Sequence, residues 1–225
     1  MQLETKARCD DAAAMAGVDL PLRDNLMYVA GKRAFDLAVG IFASALVLPI
    51  VPIIALMIKL DSPGPVFYRQ DRIGRGGRPF RFYKFRSMYR EADRRRAELQ
   101  HRNEQDGPVF KIKADPRITP VGQFLRRSSV DEIPQIINVL RGEMSVVGPR
   151  PALPAEVARY QPWHRRRLDV KPGITCLWQI AGRSQIGFDE WMRLDMEYLR
   201  TRGLRTDLTI FAKTLPAVMA RRGAY

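Results

Sequence analysis

Two neighbouring carboxylates, Asp131 and Glu132, stand in the stretch Phe124-Leu-Arg-Arg-Ser-Ser-Val-Asp-Glu-Ile-Pro-Gln-Ile-Ile-Asn-Val-Leu140. Cations flank them: Arg126 and Arg127 just before, Arg150 in the run Gly148-Pro-Arg-Pro151 just after. Acids ringed by arginines suit a phosphate that must be attacked while its charge is neutralised. A carboxylate can attack phosphorus and form an acyl phosphate, which divides one transfer into two steps. A hard Mg²⁺, held by one or two carboxylates and the substrate's own phosphates, lowers the repulsion between anionic nucleophile and anionic electrophile. Arginines then stabilise charge on the equatorial oxygens, and a proline-framed arginine loses little entropy in doing so.

The same spacing has a plainer meaning. Ser129-x-x-Glu132 matches a capping box, and acids at a helix N-terminus are favoured by the macrodipole. Capping and catalysis both remain open on these residues alone. If the pair does open a helix, its dipole is expected to keep Asp131 ionised. Ile133, Ile136, Ile137 and Leu140 follow helical spacing, so a helix is expected from the carboxylates to Gly142, with Pro134 in its first turn.

Around this centre, Val66–Gln70 and Phe80–Phe85 read as a β-hairpin whose loop is Gly74-Arg-Gly-Gly77. That basic, glycine-rich tip is able to cradle phosphate, though a flexible turn is the commoner meaning of such a loop. Residues 90–105 are expected to form a charged, solvated helix, and Val121–Arg127 a short one. Val170–Ile180 reads as a strand region, Asp189–Arg202 as an amphipathic helix, and Leu208–Met219 as a helix fit to pack or to lie on an anionic interface.

The chain has 225 residues, with 38 Lys+Arg against 24 Asp+Glu, a net charge of +14 that calls for an anionic partner. Its two cysteines, Cys9 and Cys176, exclude a disulfide framework and a Cys-rich metal site. His101 and His164 lie among arginines and polar residues and are expected at the solvated surface. Zinc chemistry and Ser-His hydrolysis therefore have little to work with.

From Leu37 to Ile58 no charge occurs, a length of about 22 residues that would span a bilayer at about 1.5 Å each. Pro49 and Pro52 interrupt it, each removing a backbone donor and crowding the preceding turn. Lys32 and Arg33 precede it and Lys59, Arg69 and Arg72 follow, so both ends prefer the cytoplasm. A helix that enters, bends at the prolines and returns meets both conditions. A long polar leader argues against a secretory signal.

In order along the chain come Lys32-Arg-Ala-Phe-Asp36, Gly64-Pro-Val-Phe-Tyr-Arg-Gln70, Phe82-Tyr-Lys-Phe-Arg-Ser-Met88 and Asp131-Glu-Ile-Pro-Gln135. Arg141-Gly-Glu-Met-Ser-Val-Val-Gly-Pro-Arg-Pro151, Lys171-Pro-Gly-Ile-Thr175 and Gly182-Arg-Ser184 follow. With these motifs the chain resembles the bacterial sugar transferases, the small monotopic phosphoglycosyl transferases, from Lys32 to Tyr225. Two positions depart from the usual pattern: Leu48 precedes Pro49 where serine is frequent, and Cys176 follows Thr175 where glycine is frequent.

The resemblance implies transfer of a hexose 1-phosphate from a UDP-sugar to undecaprenyl phosphate, releasing UMP, as the first membrane step of exopolysaccharide or O-antigen synthesis. Galactose is the first choice of sugar and glucose the second; the ending Gly223-Ala-Tyr225 leans towards the hexose branch. By the same resemblance Asp131 is the nucleophile, Glu132 completes the dyad, and both serve Mg²⁺. Lys84, Arg126 and Arg150 would surround the phosphates, and Pro49 and Pro52 would form the membrane bend. The expected fold is a membrane-associated α+β protein: a polar leader at 1–31, a re-entrant helix at 32–60, and at 61–225 a compact cytoplasmic catalytic domain with short strands and amphipathic interfacial helices. Membrane lipids of the inner membrane's cytoplasmic face are expected partners, and homodimerisation is left open. A nucleic-acid-binding protein would also explain the charge, but it leaves the apolar segment unused, and no helix-turn-helix or zinc-finger pattern is present. A catalytically idle membrane scaffold is the other rival, and UMP release separates the two.

Overall fold

A computed structural model describes residues 25–181 and 186–219; the Gly182-Arg-Ser184 motif and the ending Gly223-Ala-Tyr225 lie outside that range. The chain first forms two consecutive helices, α1 (Leu26–Val47) and α2 (Val51–Asp61), bent by 63° at the residues between them. The side chain of Asn25 caps α1 by accepting a hydrogen bond from Met27 N at 3.0 Å. Pro49 lies in the connecting turn, and Pro52 sits in the first turn of α2, where the missing donor costs nothing. No single helix among the described residues is long and apolar enough to cross a membrane; this bent pair is, by length and composition. Along it Phe42, Leu48 and Leu60 are 67%, 72% and 78% exposed, an apolar surface that water does not favour.

The hairpin forms as β1 (Phe67–Ile73) antiparallel to β2 (Pro79–Phe85), in a register that sets Tyr68 opposite Lys84. Residues 90–105 form no continuous helix. They make two isolated 3₁₀ turns, Arg94–Arg96 and Gln100–Arg102, because the stretch has few apolar residues with which to hold a long face against a core. Next come α3 (Pro120–Arg127), a 3₁₀ segment Val130–Gln135, and α4 (Ile136–Arg141), which stops at Gly142 in the left-handed conformation (φ 79°). A short strand, β3 (Ser145–Val147), pairs in parallel with β4 (Gly173–Thr175). Between these strands lie α5 (Pro154–Val157) and α6 (Pro162–Arg165). Only three residues of the expected strand region 170–180 are strand; α7 (Leu177–Ala181) takes over directly afterwards. Helices α8 (Phe188–Thr201) and α9 (Leu204–Met219) complete the fold.

The main core gathers Phe82, Val139, Met144, Val147, Trp191, Met192, Tyr198 and Ile210. A smaller cluster of Ile54, Ile58, Phe85 and Leu125 fastens α2 to β2 and α3. Three residues of the Lys32-Arg-Ala-Phe-Asp36 motif lock α1 onto the body. Lys32 Nζ donates to Asp207 Oδ2 at 2.8 Å and to Val147 O at 3.0 Å. Arg33 donates to the terminal carbonyls of α4, Val139 O and Leu140 O, both at 2.7 Å. Buried Asp36 accepts from Ser145 Oγ at 2.8 Å and Val146 N at 2.9 Å. Charge-assisted bonds of this kind stabilise by about 1.5–3 kcal/mol each, so the bent arm and the body are one unit. His164 is buried, not at the surface: its Nδ1 accepts from Gln161 N, its ring packs on Trp163 and Phe188, and burial lowers its pKa.

Candidate active site

The path to the carboxylates begins at α3. Thr119 Oγ1 accepts from Gly122 N at 3.0 Å, and Pro120 supplies a pre-set first turn. The helix ends at Arg127, and Ser129 then adopts a left-handed conformation with φ 56°. A non-glycine residue there costs about 1–3 kcal/mol. The reversal turns the following 3₁₀ segment back against β2, which brings Asp131 to Lys84. The capping box that the spacing offered is absent: Ser129, in a left-handed conformation, makes no side-chain cap bond. Pro134 falls inside this 3₁₀ segment, and the α-helix proper starts only at Ile136.

Lys84 Nζ lies 2.7 Å from Glu132 Oε1 and 3.4 Å from Asp131 Oδ2, so one ammonium holds both acids. Asp131 is 4% exposed. Its pKa is raised, chiefly because burial penalises the charged form; Lys84 and Arg126 oppose that rise, and Glu132 adds to it. A dipole that keeps Asp131 readily ionised is therefore not what the site provides. Burial outweighs it, and a six-residue 3₁₀ segment has little dipole to offer.

Arg126, which burial drives to a lower pKa, donates through Nε to Ser87 Oγ at 2.9 Å. Arg150 lies on the rigid Gly148-Pro-Arg-Pro151 loop, its guanidinium 5.6 Å from the Trp191 ring centre. Its Nη1 is buried and has no hydrogen-bond partner among the described residues. Lys84, Arg126, Asp131, Glu132 and Arg150 all line one cavity of about 680 Å³. The structure thus brings all five residues together, although Lys84 and Arg150 are 66 positions apart in the chain. Val39, Gly40 and Ala43 of α1 line the same cavity, so it reaches the exposed apolar arm. Pro49 and Pro52 stand apart from it, at the bend.

Several contributors carry no signal in the sequence. Arg72 lines the cavity and donates to Pro151 O at 3.0 Å; burial and the nearby Arg150 bring its pKa down to about 9. Arg167 donates to Arg150 O at 2.9 Å and to Tyr160 Oη at 2.6 Å, and it pairs with Asp195 at 2.8 Å. Both members of that pair are almost wholly buried, and Asp195 is pushed up to about 6 by its burial. These side chains fix the carbonyls of Arg150 and Pro151, and so the aim of Arg150. Asn138 fastens α4 to the hairpin, donating to Arg81 O and to Glu143 Oε2, both at 2.7 Å. Cys176 is buried beneath the cavity, its thiol raised well above the usual pKa by that burial.

Residues 27–221 match the family model described as bacterial sugar transferase. Galactosyl transferase CpsE of Streptococcus agalactiae is 42% identical over 88% of this chain and 44% of its own length. Exopolysaccharide production protein ExoY of Sinorhizobium fredii is 38% identical over 86% of this chain and 88% of its own. UDP-glucose:undecaprenyl-phosphate glucose-1-phosphate transferase of Caulobacter vibrioides is 39% identical over 86% of this chain and 72% of its own. The chain thus spans less than half of the streptococcal relative and most of ExoY. It belongs to the bacterial sugar transferase family.

Proposed function

We propose that this bacterial sugar transferase moves a hexose 1-phosphate from a UDP-sugar to undecaprenyl phosphate through a covalent phosphosugar on Asp131. The observation that carries the reading is the buried Asp131 and its half-buried neighbour Glu132, both held by Lys84 in a cavity that Arg126 and Arg150 also line. An Asp131 oxygen attacks the sugar-bearing phosphorus of the diphosphate. The bridging P–O bond breaks, and UMP leaves with its electron pair. A phosphate oxygen of the polyprenyl acceptor then attacks the same phosphorus, forming the lipid diphosphosugar and restoring the Asp131 carboxylate. Arg150, whose buried Nη1 has no hydrogen-bond partner among the described residues, and Arg126 would hold equatorial oxygens through both steps. Glu132 keeps Lys84 in position, and Lys84 favours the ionised form of Asp131.

Asp131 and Glu132 are also the proposed ligands of Mg²⁺. No group of three or more candidate ligand residues occurs among the described residues. Two adjacent acids fit a hard cation that takes most of its oxygens from a diphosphate. When bound, that ion would neutralise charge on the diphosphate. The setting is the cytoplasmic face of a bacterial inner membrane, entered by the α1–α2 arm without crossing. Undecaprenyl phosphate would approach along the side of the cavity formed by Val39, Gly40 and Ala43.

Galactose is the preferred sugar, in keeping with the name of the streptococcal relative, and glucose stands second, in keeping with the Caulobacter one. The test is UMP release from UDP-galactose and UDP-glucose with undecaprenyl phosphate, with and without EDTA. Asp131→Asn is expected to lose at least about a thousandfold in rate. It should also fail to retain radiolabelled phosphosugar when acceptor is withheld. Full activity in that variant would defeat the proposal.

A further inference from the structure

A second cavity, of about 320 Å³, lies at the other end of the hairpin from Lys84 and shares none of the catalytic residues. Its walls come from the first turns of α1, the hairpin tip, the approach to β4 and the end of α8. Five of its lining residues are cations, namely Lys32, Arg33, Arg75, Lys171 and Arg202. Its one lining acid, Asp36, is already engaged by Ser145 and Val146. Lys32 and Arg33 are committed to the fold through Asp207 and the carbonyls of α4. Lys171 differs: among the described residues its ammonium has neither a hydrogen-bond nor an ion-pair partner. Burial, together with the nearby Arg33, Arg75 and Lys32, depresses its pKa, and Asp36 opposes the shift. A half-buried ammonium such as that of Lys171, set in a concave place among other cations, is favoured by an anion beside it.

The depth of the cavity says which anion. Arg33 is four residues before Leu37, where the uncharged run begins, about 6 Å along the helix axis. With the arm in a bilayer, that height is the headgroup layer. Arg75 arrives there because the glycine-rich tip, Gly74-Arg-Gly-Gly77, lies at the far end of the hairpin from the catalytic acids. A Cβ at Gly76 or Gly77 would meet nothing within 4 Å, so the tip is open to a ligand.

We propose that this second cavity binds the headgroup phosphate of an anionic glycerophospholipid, with Lys171 and Arg75 as its charged contacts. The proposal rests on the membrane placement of the α1–α2 arm given above. Such a lipid would hold the catalytic body at a fixed height and orientation over the bilayer, beside the helix that leads to the active site.

Native mass spectrometry of the full chain in detergent tests this with three additives: phosphatidylglycerol, phosphatidylcholine and inorganic phosphate. The wild type is expected to retain phosphatidylglycerol at least about 10-fold better than phosphatidylcholine. Excess inorganic phosphate should not displace it. Lys171→Gln/Arg75→Gln should lower that retention by about 10- to 30-fold, since each cation near the surface contributes about 1 kcal/mol and about 1.4 kcal/mol is tenfold. Arg94→Gln/Arg95→Gln removes the same charge from exposed positions and should change little. Equal retention by the Lys171/Arg75 variant, no preference between the two lipids, or displacement by inorganic phosphate would each overturn the proposal. Lys171 makes no bond whose loss would unfold the protein, so the single Lys171→Gln variant should keep its lipid-free melting temperature and lose the lipid-dependent rise. Extraction of wild-type protein from membranes by carbonate alone would count against the membrane placement itself, separately from lipid selection.

Discussion

At the scale of single residues, burying Asp131 costs the fold stability whenever that carboxyl is ionised. Asp131 is buried with its pKa raised, so ionising it costs more in the folded chain than in the unfolded one. Above the folded pKa the carboxylate is charged in both states, and the folded state bears the penalty. Asp131→Asn removes that penalty, so its melting temperature should exceed the wild type's at pH 8. The gap should close as the pH falls through the raised pKa and the wild-type acid becomes neutral. Thermal unfolding at several pH values measures this, and an unchanged gap at low pH would argue against it. Lys84 is the main influence that lowers the pKa of Asp131. Lys84→Gln should therefore shift the acidic limb of the pH–rate profile to higher pH, and Lys84→Arg should restore part of the shift. The acids and the Gly-Pro-Arg-Pro loop stand out in the sequence, but their spacing leaves capping and catalysis both open, and Lys84, Arg126 and Arg150 join them only through the family motifs. Their energetics were not legible there, since burial arises from β2 packing over the acids and leaves no trace in local spacing.

At the scale of elements, the position of Arg150 depends on a close backbone approach. A Cβ on Gly173 would stand 2.1 Å from Gly148 N and 2.6 Å from Gly148 O, with no flexible side chain available to yield. Gly173→Ala should push the Gly148-Pro-Arg-Pro151 loop away from β4 and misplace Arg150. Overpacking of this kind costs about 1–3 kcal/mol. The rate of UMP release is expected to fall more than stability does, and a variant with full activity and a lowered melting temperature would show the loop to be insensitive. The amphipathic α8 and the hairpin followed from apolar periodicity. The 3₁₀ segment at 130–135 did not, because its spacing suits an α-helix until the left-handed Ser129 is seen. Residues 90–105 show the opposite error: high helix propensity without an apolar stripe made only turns.

At the scale of the whole molecule, the bent arm and the catalytic body are joined by Lys32, Arg33 and Asp36 and by the Ile54–Ile58–Phe85–Leu125 cluster. The re-entrant placement proposed for this arm, which bends by 63°, requires both of its ends to face the same side of a bilayer. Single cysteines placed at residues 10 and 65 should be labelled, or protected, together in intact cells. Replacing both Pro49 and Pro52 by alanine should straighten the arm and separate the two labelling patterns. Opposite labelling in the parent protein would sink the re-entrant arrangement. The arm was readable from an uncharged run of spanning length, two prolines and cations at both ends. The second cavity was not, for it joins residues from Tyr28 to Arg202 across four separate segments.

The sequence by itself determined the chemistry on offer, the family, the hairpin and the bend, because each rests on residue type or on spacing within about 20 positions. Tertiary structure alone decided which cations meet the acids, that Asp131 is buried hard enough to resist ionisation, and that Arg72, Arg167 and Asp195 hold the Arg150 loop. It also decided against the capping box, since Ser129 turns left-handed to carry the acids back to Lys84. Long-range packing sets dielectric and direction, and neither is written in any one stretch of chain.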